Sequence, residues 1–136
     1  MLAQWKSYVK RRFNMEELLV VFEALVGAVN FLHGQGYTHR DVHPSRIQNF
    51  AGDVIKFNTI GLPYNFKKLL KRDDFSGHIN YSAPELILER LDFTEKIDVW
   101  AIGCTLFFTI HKKDPFDGRD PQEVKNNILN FNLQET

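Results

Sequence analysis

The segment from Asn14 to Gly36 limits the fold more than any other stretch, because it carries a complete set of helix signals. Asn14 is a suitable N-cap, and Glu17 three residues later completes a capping box. Gly34 and Gly36 provide a stop. Between these ends, apolar residues recur at helical spacing and cover more than one face: Leu18, Leu19, Phe22, Leu25, Val26, Val29, Phe31 and Leu32. The pattern predicts a mostly buried helix over residues 15–33.

Strand signals follow this helix. Residues 47–50 and 54–57 are short apolar runs joined by Ala51-Gly52-Asp53, which predicts a β-hairpin. Residues 59–85 show little periodicity and many charges, and they predict one long loop of the kind that usually carries function. Residues 1–13 are mixed and basic, which favours a solvated helix end or a frayed start.

Two more helices are predicted in the second half of the chain. Thr94 is expected to cap a helix that runs to about His111. Asp120 is expected to cap the last helix, since Pro121 and Glu123 stand at its first and third positions. This last helix carries Val124, Ile128, Leu129 and Phe131.

Composition sets the class of protein. A chain of 136 residues can form one domain with a real core but not two. Lys plus Arg and Asp plus Glu number 17 each, so no global field draws the chain to nucleic acid or a membrane surface. Cys104 has no partner for a disulfide, and the apolar run from Val99 to Ile110 is too short to span a bilayer. The five histidines lack metal-ligand spacing, so we expect no metal site. The lone cysteine and the lack of an apolar signal stretch at the N-terminus favour a cytoplasmic or nuclear location.

Four short motifs occur along the chain. In order, they are His39-Arg40-Asp41-Val42-His43-Pro44-Ser45-Arg46, Ser82-Ala83-Pro84-Glu85, Asp98-Val99-Trp100-Ala101-Ile102-Gly103-Cys104 and Pro115-Phe116-Asp117-Gly118. Together they resemble the eukaryotic protein kinase family of the serine/threonine type. They match its catalytic loop, the end of its activation segment, the start of its central buried helix and the loop to the next helix. The resemblance covers nearly all of the chain after residue 14.

The resemblance implies a fold and its limits. We expect a mainly α fold of the α+β family, with long buried helices plus a short β-hairpin. Residues 1–136 would form a single partial domain, the helical large lobe from the catalytic-loop helix to the helix after Pro115-Phe116. The glycine-rich loop and strand lysine of the nucleotide-covering lobe, and the last helices of the large lobe, have no counterpart.

Each residue of the first triplet takes a role from the resemblance. Asp41 would orient an acceptor hydroxyl and receive its proton; the alternative is an Asp that caps a turn before Pro44. His39 would hold the loop by packing and backbone hydrogen bonds. Arg40 would reach an anionic group in the activation segment.

The resemblance also implies regulatory positions. Asp74 stands where the family usually places its phosphorylatable side chain, so it is either a permanent partner for Arg40 or part of a solvated loop tip. Ser76 is a further regulatory candidate, as a phosphoacceptor by position.

Glu85 and Asp98 are expected to be structural. The family's arginine partner for Glu85 would lie beyond the end of this chain. A buried, unpaired carboxylate would be costly, so we expect the isolated chain to be marginally stable or to associate.

Departures from the family pattern fall on the reaction centre. His43 replaces the lysine that contacts the transferring phosphoryl group, and Arg46 replaces a metal-binding asparagine. Thr59 replaces the metal-binding aspartate, although magnesium prefers anionic oxygens. His78 replaces the threonine that usually follows the glycine of the peptide-binding loop.

These departures lead to a functional expectation. We expect a pseudokinase or kinase fragment that acts by protein–protein interaction and needs no cofactor. Its partners would be proteins, including a kinase or the missing nucleotide-covering lobe, with no nucleic acid and no membrane. The alternative is a fragment of an active serine/threonine kinase that binds ATP and magnesium in its full-length form.

Overall fold

The computed structural model describes residues 3–4, 14–44, 47–50, 54–57, 62–63, 79–90 and 92–131. Four α-helices, one 3-10 turn and five short strands account for the regular structure of these ranges. In chain order they are β1 (Ala3–Gln4), α1 (Met15–Gly34), β2 (Tyr37–Thr38), β3 (Ile47–Phe50), β4 (Val54–Phe57), β5 (Leu62–Pro63), a 3-10 turn (Ile79–Tyr81), α2 (Pro84–Ile87), α3 (Lys96–His111) and α4 (Pro121–Leu129). The predicted mainly helical fold with a β-hairpin is confirmed.

Helix α1 has the ends that its sequence predicts. The Asn14 side chain accepts from Glu17 N at 2.8 Å, and the Glu17 side chain accepts from Asn14 N at 3.4 Å, which completes the capping box. The helix ends at Gly34, and Gly36 adopts a φ of 81° that glycine reaches without steric cost. Only the face with Val21, Leu25 and Val29 is buried. The prediction of a mostly buried helix was therefore wrong for the opposite face, because the described elements pack on one side only.

The strands form two antiparallel sheets. The first has the order β1-β3-β4, and its β3–β4 hairpin pairs Ile47 with Phe57 and Phe50 with Val54. The second pairs β2 with β5. Strand β1 corrects the expectation for residues 1–13, since Ala3 and Gln4 pair with β3. Strand β5, the 3-10 turn and α2 likewise replace parts of the single long loop expected over residues 59–85.

Helix α3 is the centre of the core. It contributes buried residues to three clusters, which join it to α1, to α2 and to α4. The clusters are Val29, Val42, Ala101 and Ile102; Ala83, Leu86, Phe93 and Ile97; and Tyr81, Cys104, Phe116, Val124 and Ile128. Two buried hydroxyls, on Thr105 and Thr109, are satisfied within the helix by the carbonyls of Ala101 and Thr105.

The predicted helix starts have different outcomes. Asp120 caps α4 by accepting from Glu123 N at 2.9 Å, as expected. Helix α3 begins later than expected, at Lys96 with Glu95 as the N-cap residue and no side-chain cap bond. Thr94 still contributes, because its hydroxyl accepts from Lys96 N at 3.3 Å. In the described ranges, no helix combines the length and the apolarity that crossing a membrane would require.

Candidate functional site

The loop of residues 39–44 follows β2 and presents its residues in two groups. His39, Val42, His43 and Pro44 are buried, whereas Arg40 and Asp41 are partly exposed. Buried residues on both sides hold the pair in place through packing. The loop thus exposes the two residues to which the resemblance assigns polar roles.

Asp98 anchors this loop from the first turn of α3. Its Oδ2 accepts from the backbone N–H of His39 at 2.8 Å, and its Oδ1 accepts from the backbone N–H of Arg40 at 2.9 Å. Its Oδ2 also contacts His33 Nε2 at 2.8 Å, at the end of α1. The carboxylate is buried and lies at a helix N-terminus, where negative charge is favourable. One side chain therefore joins α1, the loop and α3.

The Asp98 contact also holds an unusual backbone. Arg40 has a φ of 72°, in the left-handed region that non-glycine residues seldom occupy. Such a conformation costs on the order of 1 kcal/mol and persists only where surrounding contacts impose it. The bond from Arg40 N to Asp98 is a contact of this kind. The orientation of the neighbouring Asp41 depends on it.

His39 supports Asp41 directly. The backbone N–H of Asp41 donates to His39 Nδ1 at 3.1 Å. This nitrogen must be unprotonated to accept, so a neutral His39 carries its proton on Nε2. His39 is thus buried and bonded to the loop backbone, and its structural role stays a prediction.

Asp41 has an imidazole beside its carboxylate. His43 Nε2 lies 2.9 Å from Asp41 Oδ1, with His43 1% and Asp41 33% exposed. The approach is short but poorly aligned for a hydrogen bond, so it is an electrostatic contact between an imidazole and a carboxylate. The ring of His43 also lies 6.1 Å from that of Tyr81. A buried, packed imidazole has no freedom to extend toward a bound phosphate as a lysine would.

An open recess lies between this loop and the Ser82-Ala83-Pro84-Glu85 motif. Asp41, His43, Tyr81 and Ser82 are among the residues that line this recess. The recess therefore brings together the first two motifs of the sequence.

Asp114 is a site residue that sequence reasoning missed. It follows α3, and its two carboxylate oxygens accept from the Tyr81 hydroxyl and from Asn80 Nδ2, the latter at 2.8 Å. Burial, reinforced by the bond to Asp114, raises the pKa of Tyr81 well above its usual range. Burial also raises the pKa of the Cys104 thiol to about 12, with the Asp114 charge as a second cause. Asp114 thereby fixes the segment before Ser82 to the loop that follows α3.

The remaining predicted residues have separate outcomes. Arg46, Thr59, Asp74 and Ser76 lie outside the described residues, so the proposed Arg40–Asp74 pair stays a prediction. Glu85 is described and only partly buried. The expected penalty for a buried carboxylate at this position is correspondingly smaller, because water reaches the group. Among the described residues, no group of three or more His, Cys, Asp or Glu side chains could hold a metal ion.

Comparison with known proteins establishes the family. A family model, described as the protein kinase domain, matches residues 2–135. The chain belongs to the protein kinase domain family. In this chain, Asp98 of α3 anchors the catalytic-loop motif, and His43, a departure from the family pattern, contacts the motif's aspartate.

The kinase domain has named relatives at modest identity. It is 36% identical to sperm motility kinase 2B and 34% identical to sperm motility kinase 1, both of mouse, over 84% of its own length. It is 30% identical to the serine/threonine-protein kinase PEPKR2 of Arabidopsis thaliana over 89% of its length. It covers 24%, 24% and 26% of these relatives, respectively. The chain thus spans about a quarter of the length of the curated relatives that it matches.

Proposed function

We propose that this chain is a kinase-domain module that acts by binding proteins and does not transfer phosphate. The observation that supports this most is the imidazole of His43 against the Asp41 carboxylate. It stands at a position where the family resemblance implies a lysine that contacts the transferring group. The carboxylate that should receive a proton is thus engaged by a neighbour on its own loop.

The expected loss of rate is large. A lysine at this position neutralises charge on the transferring phosphoryl group, and losing a single stabilising donor of this kind costs about 3 kcal/mol. That figure corresponds to about two powers of ten in rate. Arg46 and Thr59, which replace the family's metal ligands in the sequence, would add to this loss. We therefore expect no cofactor for the chain itself.

The scaffold of the loop supports a binding role. Asp98 holds His39 and Arg40 through their backbone N–H groups, and Val42 of the same loop packs with Val29, Ala101 and Ile102 in a buried cluster. A protein-binding module would keep the contacts that fix the shape of this loop, while the residues needed for phosphoryl transfer are replaced. We propose that its partners are proteins, among them another kinase or a nucleotide-covering lobe.

The test compares the full chain with its Asp41→Asn variant. Melting is followed with ATP, with ATP plus magnesium and with neither, and phosphate transfer to a generic basic protein substrate is measured with labelled ATP. We expect a shift in melting temperature below about 1 °C, since a ligand that does not bind the folded chain does not stabilise it. We also expect both proteins to incorporate the same background label. A magnesium-dependent shift of several degrees, or label that disappears with Asp41→Asn, would contradict the proposal.

Two observations favour a second function. Asp41 is retained on an anchored loop, and the relatives named above are kinases along lengths about four times that of the matched segment. A longer form of this protein that binds ATP and magnesium and phosphorylates proteins would have both features. The complete reading frame distinguishes the two functions. A glycine-rich loop and a strand lysine upstream would favour the active kinase.

A further inference from the structure

Tyr81 connects the recess to the loop that follows α3. Its side chain is 5% exposed and packs in the buried cluster that includes Cys104 and Phe116. Its ring lies 6.1 Å from the ring of His43 at an interplanar angle of 49°, a separation at which aromatic rings attract each other. Its hydroxyl donates to Asp114, 33 positions further along the chain. Tyr81 therefore links the imidazole beside Asp41 to a carboxylate outside the recess.

Asp114 fixes the orientation of Tyr81. Its Oδ1 accepts from the Tyr81 hydroxyl, and its Oδ2 accepts from Asn80 Nδ2 at 2.8 Å. Asn80 and Tyr81 are consecutive residues of the 3-10 turn, so the two bonds hold both the turn and the phenol ring. Hydrogen bonds to an ionised acceptor are stronger than those between neutral groups. The Tyr81 ring is thus held in place beside His43.

The His43–Asp41 contact benefits from such a support. His43 Nε2 lies 2.9 Å from Asp41 Oδ1, but the approach is poorly aligned for a hydrogen bond, and a misaligned bond is weak. The His43 side chain is only 1% exposed, so the packing of its neighbours contributes to its position. Tyr81 is an aromatic neighbour whose own position depends on Asp114.

We propose that Tyr81 and Asp114 are positioning residues that keep the His43 imidazole on the Asp41 carboxylate. The contact is autoinhibitory, because it directs the carboxylate to a side chain of its own loop. When the contact opens, the partly exposed carboxylate can accept from a donor group of a bound protein. This inference rests on the proposed function and names the residues that regulate the same site.

The test measures how accessible His43 is in the full chain. Diethyl pyrocarbonate acylates an accessible, unprotonated imidazole nitrogen, and tandem mass spectrometry gives the rate at each histidine. Trypsin cleavage after Arg40 separates His39 from His43. His39 is 2% exposed and lies on the same loop, whereas His111 is exposed on α3 and reports the activity of the reagent. Local opening raises the rate at His43 alone, and global unfolding raises the rates at His43 and His39 together, so the readout is the ratio of the His43 rate to the His39 rate.

Variants of the support should change this ratio. Asp114→Ala and Tyr81→Leu should each raise it about tenfold, because each removes a contact that holds the ring in place. Tyr81→Phe keeps the ring and loses the bond to Asp114, so it should raise the ratio about threefold. Asp117→Ala is the matched control, since Asp117 is an exposed aspartate in the same loop whose Oδ1 accepts from Gly118 N. It should leave the ratio unchanged.

A double-mutant cycle distinguishes positioning from general support. Asp41→Asn should raise the ratio about threefold in the parent chain, because His43 loses a charged partner. In the Asp114→Ala chain it should have no further effect, since His43 has already left the carboxylate. A merely structural role of Asp114 would leave the two effects multiplicative.

Three results would overturn the inference. The first is an unchanged ratio in both Asp114→Ala and Tyr81→Phe. The second is a faster reaction of His43 in Tyr81→Phe that His39 shares equally. The third is a cycle in which the effects of Asp41→Asn and Asp114→Ala multiply. If Tyr81→Leu does not fold, Tyr81→Phe and Asp114→Ala still decide the matter. No measurement here involves nucleotide, so failure is distinguishable from failure of the non-catalytic function, which the ATP and magnesium assays detect.

Discussion

Replacing Asp98 by asparagine exchanges one carboxylate oxygen for an NH₂ group, and the exchanged atom Oδ2 contacts two separate parts of the chain. Oδ2 of Asp98 accepts from His39 N and contacts His33 Nε2, while Oδ1 accepts from Arg40 N. An amide placed with its oxygen toward Arg40 N directs its NH₂ group at His39 N–H. Two donors then face each other in a buried site, and His33 must adopt its other tautomer to accept from the amide.

The cost follows from these bonds. A hydrogen bond to a charged group contributes about 1.5–3 kcal/mol, and a buried donor left unsatisfied costs about 1–3 kcal/mol. Asp98→Asn loses the bond to His39 N and leaves that donor unsatisfied, so we expect a loss of about 3 kcal/mol. Asp98→Ala removes all three contacts and should cost about 5 kcal/mol. His33→Ala removes one contact and should cost about 1.5 kcal/mol.

The assay is urea and thermal unfolding followed by circular dichroism. For a domain of this size, about 3 kcal/mol corresponds to a fall of about 10 °C in the melting temperature. Asp92→Asn is the matched control, since Asp92 is 68% exposed in a surface pair with Arg90 and its loss should cost less than about 0.5 kcal/mol. Trypsin provides a local measurement, because cleavage after Arg40 should become faster when the loop loses its anchor.

The expected order of destabilisation is Asp98→Ala, Asp98→Asn, His33→Ala and then Asp92→Asn. The reasoning is refuted if Asp98→Asn matches Asp92→Asn in both midpoint and cleavage rate. It is also refuted if His33→Ala costs more than Asp98→Asn, because the backbone contacts would then contribute little. If Asp98→Ala does not fold, His33→Ala and Asp98→Asn still give the order.

Four further predictions concern other parts of the fold. Tyr81→Phe should lower stability by about 1–2 kcal/mol in urea unfolding, because Asp114 loses a donor; an unchanged midpoint would contradict the contact. Burial raises the pKa of Cys104 to about 12, above the usual value of about 8.5, so its contribution to stability is complete below about pH 8.5 and is lost as pH rises toward 12. Between about pH 8.5 and 10, the midpoint of Cys104→Ala should fall less steeply than that of the parent chain, and equal slopes would argue against a buried thiol. Gly27→Ala should stabilise α1 by up to about 1 kcal/mol, since nothing lies within 4 Å of the added methyl group. Gly118→Ala should destabilise the fold by about 1 kcal/mol, because the methyl group would lie 3.1 Å from the backbone nitrogen of Val124 in α4. A lower melting temperature for Gly27→Ala would refute the first glycine expectation, and a higher one for Gly118→Ala would refute the second.

Local signals predicted the parts of the fold that local chemistry determines. The capping box at Asn14, the β3–β4 hairpin and the Asp120 cap depend on residues a few positions apart, so the sequence contains them. Strand β1 is two residues long and forms because the distant strand β3 pairs with it. Two residues show no periodicity from which a strand could be predicted. The Asp114 contact joins residues 33 and 34 positions apart, and no short motif includes both sides of it.

The burial of α1 shows a different limit of sequence reasoning. The spacing of apolar residues predicts which faces of a helix avoid water. It does not predict which of these faces packs against another described element. Val21, Leu25 and Val29 meet the core, whereas Leu19 and Phe22 carry the same type of signal and remain exposed. Helix α1 therefore carries more apolar residues than the described elements cover.

The anchoring of the catalytic-loop motif explains how its chemistry could change while its shape persisted. Asp98 binds the loop through the backbone N–H groups of His39 and Arg40, and those groups are present whatever side chains follow. A substitution at position 43 leaves these bonds intact, provided that the new side chain fits the buried space beside Tyr81. Imidazole fits, and it meets the Asp41 carboxylate there. A loop anchored by its backbone can thus lose a phosphate contact at little cost in stability, and so the triplet His39-Arg40-Asp41 alone is evidence of family and not of activity.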